Sequence, residues 1–118
     1  MKCKEKMFSA VIDRPVGFED SFGNVYPINY GYIPELMGGD SEEQDVYIIS
    51  HDPQQPLENF TGKLVAIIHR RDDIEDKWVL APANEEIDKT LIAEQTQFME
   101  QYFDSWIEMV EETADSNP

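Results

Sequence analysis

Acidic side chains are concentrated in a short segment immediately before an apolar stretch of the sequence. Residues 38–45 (GGDSEEQD) hold four carboxylates, and the apolar residues 46–50 (VYIIS) follow directly. Carboxylate oxygens are the ligands that hard divalent cations prefer, although the same composition is typical of a solvated loop. The segment is not an EF-hand, because Asp45 stands where that motif needs glycine and His51 where it needs glutamate. A metal bound here therefore needs ligands from elsewhere in the chain.

A second acidic segment, residues 72–76 (DDIED), supplies candidates for those ligands. Arg70 and Arg71 precede it and Lys77 follows it, so the alternatives for these basic residues are local ion pairing and anion binding. By itself the segment is typical of a charged turn between two strands. If both acidic segments lay together, their carboxylates would repel one another unless cations sat among them. Convergence would therefore favour a Mg²⁺ cluster, and such clusters typically work on phosphates.

Other catalytic motifs are missing from the sequence. There is no Cys-x-x-Cys or His-Glu-x-x-His zinc motif, no Walker A or Rossmann glycine pattern and no Gly-x-Ser-x-Gly elbow. The lone cysteine, Cys3, cannot form an intramolecular disulfide, which fits a reducing cytoplasm.

The charge balance limits the partners. The chain has 25 acidic and 9 basic residues among 118, a formal charge of −16, so nucleic acids and anionic membranes would repel it. The longest apolar run, residues 64–68, is far shorter than the roughly 20 residues of a membrane span. We expect a soluble cytoplasmic protein without nucleic-acid or membrane partners. The acidic surplus fits solubility, a cationic partner or bound divalent metal.

Short strands must position these segments. Apolar or β-branched runs bounded by turn residues predict strands at residues 5–12, 46–50, 64–69 and 78–80. Residues 15–24 have the composition of a loop, and residues 25–34 (VYPINYGYIP) that of extended backbone with ordered tyrosines. Several short strands in so small a chain indicate a compact barrel.

The residue pattern changes after the last predicted strand. Residues 84–112 lack glycine and proline and predict an amphipathic helix, with Asn84 as its N-cap and acidic residues in its first turn. We expect its apolar stripe to pack against the barrel. The members of that stripe are Leu91, Phe98, Tyr102, Trp106 and Met109. The predicted fold is mainly β with α (α+β): one domain over residues 1–112, a small barrel with one long C-terminal helix, and a frayed tail at 113–118.

Three segments together resemble a known family. The string Tyr-Pro-Ile-Asn-Tyr-Gly-Tyr-Ile at residues 26–33, the acidic residues 40–45 and the later segment 73–77 with Ala81-Pro82 are similar to those of the soluble family I inorganic pyrophosphatases. The chain is identified as a short, divergent member. The resemblance implies an OB-like barrel with a C-terminal helix, several Mg²⁺ ions, and hydrolysis of pyrophosphate to two phosphates.

The resemblance also implies roles for individual residues. Glu42 corresponds to the carboxylate that activates the attacking water, and Lys77 to a lysine that contacts phosphate. Asp72 or Asp73 and then Glu75 or Asp76 correspond to the family's later metal ligands, and the short turn leaves that register open. The implied metal ligands are Asp40, Glu42, Asp45, Asp72, Asp73, Glu75 and Asp76. The implied substrate contacts are Tyr26, Tyr30 and Tyr102, and Arg14, Arg70 and Arg71 are the candidate basic residues for contacting substrate.

Several basic positions of the family have no counterpart. If residues 12–14 align with the family's early strand, Ser9 and Val11 replace its lysine and glutamate. No arginine lies between residues 15 and 25, and Phe103 replaces the lysine that follows the late tyrosine. Each lost cation removes a contact worth about 1.5–3 kcal/mol. Three alternatives stay open: Arg14, Arg70 or Arg71 substitutes, the substrate differs, or catalysis is lost.

Two functions of different classes follow. The first is a hydrolase that cleaves pyrophosphate, or another small phosphoanhydride, with a metal-activated water and Mg²⁺, with Mn²⁺ as the alternative metal. The second is a non-catalytic relative, a metal-binding or protein-interaction module that keeps the barrel and the acidic segments. The sequence does not fix the oligomeric state, and a homo-oligomer stays open.

Overall fold

The computed structural model describes residues 7–38, 42–71 and 75–110. Six strands and one helix follow one another along the chain: β1 (Met7–Arg14), β2 (Tyr30–Met37), β3 (Glu43–Ile48), β4 (Asn59–Arg70), β5 (Asp76–Ala81), α1 (Lys89–Glu100) and β6 (Ser105–Met109). The four predicted strands correspond to β1, β3, β4 and β5. The prediction for residues 84–112 is only partly right.

Five strands close into a barrel. The strand order is β1-β2-β3-β5-β4, and an antiparallel pairing of β1 with β4 joins the two ends. The β3–β5 pair is parallel and places Val46 beside Trp78, while the neighbouring pairs are antiparallel. This confirms the small, mainly β barrel with one helix. Closure leaves none of the five strands as an open edge of the barrel.

The tyrosine segment owes its place to one glycine. Gly31 of β2 lies opposite Ile12 of β1, and a Cβ atom built on Gly31 would meet the carbonyl oxygen of Val11 at 1.9 Å. Only glycine allows the two strands to approach so closely. The approach places Tyr30, which is buried, in the core cluster that also contains Ile92 of the helix. Tyr26 is buried as well, so the prediction of ordered tyrosines is confirmed.

Asn29 joins two connections between strands, residues 15–29 and residues 49–58. Its side-chain oxygen accepts hydrogen bonds from the backbone N–H groups of Val16 (3.2 Å) and Leu57 (3.1 Å). Its side-chain nitrogen donates to Gln54 Oε1 and to the carbonyl of Gln55, both at 2.9 Å. The side chain is fully buried, and these bonds satisfy it.

The helix is shorter than the sequence predicted. It begins after Asp88, whose Oδ1 accepts a hydrogen bond from the Leu91 N–H, so Asp88 rather than Asn84 is the N-cap. The predicted acidic first turn, Glu85, Glu86 and Asp88, lies before the helix, because Glu85 is held by Ser50 and His51. The helix ends at Glu100. No helix in the described ranges is long and apolar enough to cross a membrane.

The second half of the predicted helix is a strand. Residues 105–109 pair with the end of β4, with Trp106 opposite His69 and Ile107 opposite Ile68. The apolar stripe is therefore split: Leu91 and Phe98 pack against the core, but Trp106 is 43% exposed and Tyr102 is 63% exposed. The prediction that Trp106 and Tyr102 are core residues of a helix is wrong. The tail at 113–118 lies outside the described residues.

Candidate active site

A buried lysine joins two carboxylates and a tyrosine on the face of the barrel strands that packs against the helix. Nζ of Lys77 lies 2.7 Å from Asp45 Oδ2 and 2.6 Å from Glu75 Oε2, and it donates to the Tyr30 hydroxyl at 2.8 Å. Parallel pairing of β3 with β5 brings Asp45 beside Lys77, and Tyr30 comes from β2. Lys77 is only 5% exposed. The structure therefore brings together one member of each acidic segment with the predicted phosphate-binding lysine.

The two carboxyl groups of this cluster differ in pKa. Burial raises the pKa of Asp45, but hydrogen bonds from Glu75 and Lys77 outweigh burial and leave that pKa below its ordinary value of 3.8. Burial and the neighbouring Asp45 raise the pKa of Glu75 above 4.5, although Lys77 opposes the shift. The pair therefore holds one proton on Glu75 more readily than on Asp45.

A second cation approaches the same tyrosine ring. The guanidinium carbon of Arg14 lies 5.6 Å from the ring centroid of Tyr30, and Lys77 Nζ lies 5.4 Å from that centroid. Nη1 of Arg14 donates to the Tyr26 hydroxyl at 2.6 Å. Tyr26 packs edge-on against Phe98 and Phe18, so its ring belongs to the core, and the guanidinium carbon of Arg14 lies 5.6 Å from the centroid of that ring. Of the three arginines named from the sequence, Arg14 shares the Tyr30 ring with Lys77.

Arg70 approaches the cluster from another side. Its Nη1 lies 3.8 Å from Glu75 Oε1, and its Nε and Nη2 bond to the two oxygens of Glu100 at 3.2 and 2.6 Å. The Phe103 ring, where the family resemblance expects a lysine, lies 3.6 Å from the guanidinium carbon. Arg70 is buried and belongs to an internal ion-pair network.

Strand alternation separates Asp76 from the cluster. Successive side chains of a strand point to opposite faces, and Lys77 shares with Val79 the face of β5 that packs against the helix. Asp76 Oδ1 instead lies 3.2 Å from His69 Nδ1 on the opposite face, where His69 Nε2 also meets Glu108 Oε1 at 2.8 Å. Of the two alternatives for the last metal ligand, the structure therefore places Glu75, and not Asp76, beside Asp45 and Lys77.

Two other predicted contacts lie away from the cluster. Arg71 is at the surface, where its Nη1 meets Asp104 Oδ1 at 3.0 Å and its guanidinium lies 5.9 Å from the Trp106 ring centroid. Tyr102 occupies the exposed turn after the helix, and its backbone N–H bonds to the Met99 carbonyl. The structure does not bring either residue to Lys77.

Four further members of the predicted metal site are Asp40, Asp72, Asp73 and Glu42. Asp40, Asp72 and Asp73 lie outside the described residues. Glu42 is exposed one residue before β3, and its carbonyl accepts a hydrogen bond from the Gly38 N–H. Its role as the water-activating carboxylate stays a prediction.

The donor types at the cluster suit a hard cation. Asp45 and Glu75 provide carboxylate oxygens, which Mg²⁺ prefers, but octahedral Mg²⁺ needs more ligands than these two. In the ranges that the structure describes, no three histidine, cysteine, aspartate or glutamate side chains are grouped to hold a metal ion. The residues present therefore fit Mg²⁺ in chemistry, and Asp40, Asp72 and Asp73 are the candidates for completing the set.

The sequence analysis missed Glu100 and Tyr47. Glu100 follows Ile92 and Thr96 at steps of four, so an acidic residue occupies the buried stripe of the helix. That spacing is the signal that could have identified it, because an acidic residue is seldom buried without a partner. Tyr47 is part of a continuous apolar run, and nothing in that run marks its hydroxyl as a hydrogen-bond donor to Glu100.

Related sequences share this framework. The family model for inorganic pyrophosphatase matches residues 12–114. The inorganic pyrophosphatase of Aquifex pyrophilus is 32% identical over 83 residues, which are 66% of this chain and 46% of that protein. That of Haemophilus influenzae is 33% identical over 61 residues, 50% of this chain and 35% of that protein. The matched segments thus span less than half the length of these two relatives.

Solved structures share the fold. The inorganic pyrophosphatase of Ehrlichia chaffeensis superposes with a TM-score of 0.65 at 17% identity, covering 92% of this chain and 87% of that chain. The inorganic pyrophosphatase of Helicobacter pylori superposes with a TM-score of 0.60 at 16% identity, covering 93% of this chain and 86% of that chain. At such identities the likeness shows the fold alone, but the family model covers most of the sequence. The chain belongs to the family I inorganic pyrophosphatases, as its tyrosine and acidic segments predicted.

Proposed function

We propose that this chain hydrolyses inorganic pyrophosphate, or a closely related phosphoanhydride, with a divalent metal. The observation that carries the proposal is the buried cluster of Asp45, Glu75, Lys77 and Tyr30 in a chain of this family. The sequence relatives named above are inorganic pyrophosphatases. We expect the reaction to take place in the cytoplasm, and a homo-oligomer stays open.

Asp45 and Glu75 are the proposed metal-binding residues within the described part, with Asp40 and the 72–73 pair completing the ligand set. Bound Mg²⁺, or Mn²⁺ in its place, would neutralise pyrophosphate charge and lower the pKa of a bound water. The chain supplies the rest of the chemistry. Glu42, three residues before Asp45, is the proposed general base that takes the proton of the attacking water.

Lys77 and Arg14 are the proposed phosphate-binding cations. Both lie within 6 Å of the Tyr30 ring centroid, so two positive charges approach one wall of the site. A charge-assisted hydrogen bond from either cation to a phosphate oxygen is about twice as strong as a neutral one. Arg14 thereby supplies a positive charge from a different position than those at which this chain lacks the family's basic residues.

The second candidate function is a non-catalytic metal-binding or protein-interaction module. One observation favours it: Lys77 is almost completely buried and already bonded to both carboxylates. If Glu75 keeps its proton, the charges of Lys77 and Asp45 cancel, and the cluster is balanced without a ligand. Such an arrangement could persist in a relative that no longer turns over substrate.

Phosphate release from pyrophosphate separates the two functions. We expect release that needs Mg²⁺ or Mn²⁺, a loss of at least about a hundredfold in turnover for Glu42→Gln, and a raised Michaelis constant for Lys77→Ala. Glu108→Gln, an exposed carboxylate of β6, is the matched control and should keep the wild-type rate. No release from pyrophosphate, short polyphosphates or nucleoside triphosphates with either metal would favour the binding module instead.

A further inference from the structure

Glu100, the last residue of the helix, carries a buried carboxylate that accepts hydrogen bonds from side chains of three strands. Glu100 Oε2 accepts hydrogen bonds from the Tyr47 hydroxyl and Arg70 Nη2, each at 2.6 Å. Its Oε1 accepts from the Ser105 hydroxyl at 2.5 Å and from Arg70 Nε at 3.2 Å. Both oxygens are therefore paired, and the carboxylate has a single orientation.

This arrangement fixes the guanidinium of Arg70. Two of its nitrogens bond to Glu100 as a fork, and the Phe103 ring lies against the guanidinium plane at 3.6 Å. An arginine that is held along one edge and on one face cannot swing without breaking these contacts together. Its third nitrogen, Nη1, is thereby held 3.8 Å from Glu75 Oε1.

The two oxygens of Glu75 are consequently divided between two cations. Oε1 faces Arg70, and Oε2 lies 2.6 Å from Lys77 Nζ. With a cation on each side, rotation of the Glu75 carboxylate would lose one of the two ion pairs. The helix terminus thus reaches the site through a chain of three side chains, Glu100, Arg70 and Glu75.

We propose that Glu100 is a positioning residue, which acts through Arg70 to orient Glu75 and thereby sets the affinity of the site for divalent metal. The inference rests on the proposed function, because it takes Glu75 as a metal-binding carboxylate. Hydrogen-bond partners that orient a metal-binding side chain typically change metal affinity 10- to 100-fold when they are removed. Neither Glu100 nor Arg70 needs to touch the metal for this effect.

Calorimetric titration of the full chain with MgCl₂ alone tests the role. We expect the dissociation constant of Glu100→Gln to rise about 10- to 100-fold. Asp104→Asn is the matched control: it also removes a carboxylate paired with an arginine at the end of β4, but its pair with Arg71 is exposed. We expect its dissociation constant to stay within about twofold of wild type. Equal affinities of the two variants would overturn the positioning role.

Two further variants cover the case in which Glu100→Gln does not fold. Arg70→Lys keeps a positive charge but loses the fork on Glu100, so it should also weaken Mg²⁺ binding. Tyr47→Phe removes one donor from Glu100 and keeps the fork, so its effect should be smaller than that of Arg70→Lys. Wild-type affinity in Arg70→Lys, with circular dichroism showing a folded protein, would overturn the inference. Failure of wild type itself to bind Mg²⁺ would instead overturn the proposed function.

Discussion

Lys77 donates a hydrogen bond to the Tyr30 hydroxyl across 2.8 Å on the helix-packed face of the barrel strands, while the same ammonium group binds Asp45 and Glu75. Burial and the negative charge of Asp45 raise the pKa of Tyr30 well above 10, so this hydroxyl keeps its proton at neutral pH. One cation therefore contacts both carboxyl groups and holds a neutral phenol. A metal ion that takes these carboxylates must compete with Lys77 for their oxygens.

Divalent metal should stabilise the fold through Asp45 and not through Asp76. An ion that binds only the folded state adds about 2.7 kcal/mol at a concentration 100 times its dissociation constant. We expect Mg²⁺ or Mn²⁺ to raise the melting temperature of wild type and of Asp76→Asn, and most of the rise to be lost in Asp45→Asn. Scanning calorimetry with and without metal measures this. An equal loss in both variants would contradict the separation of the two carboxylates by strand alternation.

The contribution of Glu100 to stability should disappear in acid. Burial raises the pKa of Glu100, but hydrogen bonds from Arg70, Ser105 and Tyr47 leave it below the ordinary 4.5. A carboxyl group with a lowered folded-state pKa stabilises the fold above its unfolded pKa and loses that effect as the pH falls through the folded value. The difference in unfolding free energy between wild type and Glu100→Gln should therefore be constant from pH 7 to pH 5 and shrink below about 4.5.

Urea unfolding at pH 7, 5 and 3.5 gives that difference at each pH. Asp104→Asn, whose ion pair is exposed, serves as the control and should differ little from wild type throughout. A difference for Glu100→Gln that persists unchanged at pH 3.5 would mean that its cost comes from packing and not from charge.

Trp106→Ala should cost little stability. The indole stacks on the His69 ring at 4.4 Å on the outer face of the sheet, and 43% of the residue is exposed. Loss of one such ring pair is worth about 0.5–1.5 kcal/mol, whereas truncation of a buried residue such as Ile48 to Ala costs about 2–5 kcal/mol. Denaturant unfolding of the two variants side by side measures both. Equal costs would place Trp106 in the core after all.

Asn29→Ala should be strongly destabilising. It would leave the partly buried N–H groups of Val16 and Leu57 without their acceptor, at about 1–3 kcal/mol for each unsatisfied group. We expect a loss of at least about 2 kcal/mol in unfolding free energy. Asn24→Ala removes only a local bond to Asp20 at 3.1 Å and should cost less than about 1 kcal/mol. A cost for Asn29→Ala no larger than that control would mean that water replaces the lost bonds.

The barrel could be predicted because its strands are short apolar runs between turn residues, as around Val46 and Val79. The end of the helix could not be predicted. The positions of Trp106, Ile107 and Met109 fit the apolar stripe of a helix as well as the alternation of a strand. Pairing with the end of β4, nearly 40 residues earlier in the chain, decides between the two. Sequence patterns describe local periodicity and contain no information about such a partner.

The candidate site was likewise predicted only in part from the sequence. The motifs identified Asp45 and Lys77, but the choice between Glu75 and Asp76 depended on which face of β5 each side chain occupies. Arg70 was predicted to contact substrate, and its fork on Glu100 depends on the helix lying against the barrel. The proposed roles of Asp40, Asp72 and Asp73 remain predictions.

The pairing that closes the barrel has a consequence for how the chain folds. Met7 lies opposite Lys63 and Val11 opposite Asn59, so β1 meets β4 only after most of the barrel sequence has been brought together. Contacts between residues so distant along the chain cost loop entropy before they contribute stability, and folds rich in them fold in milliseconds to seconds. Until β1 arrives, the first half of β4 offers an unpaired edge to other chains. We therefore expect the yield of refolded protein to fall as its concentration rises, with the loss occurring before closure and not from the native state.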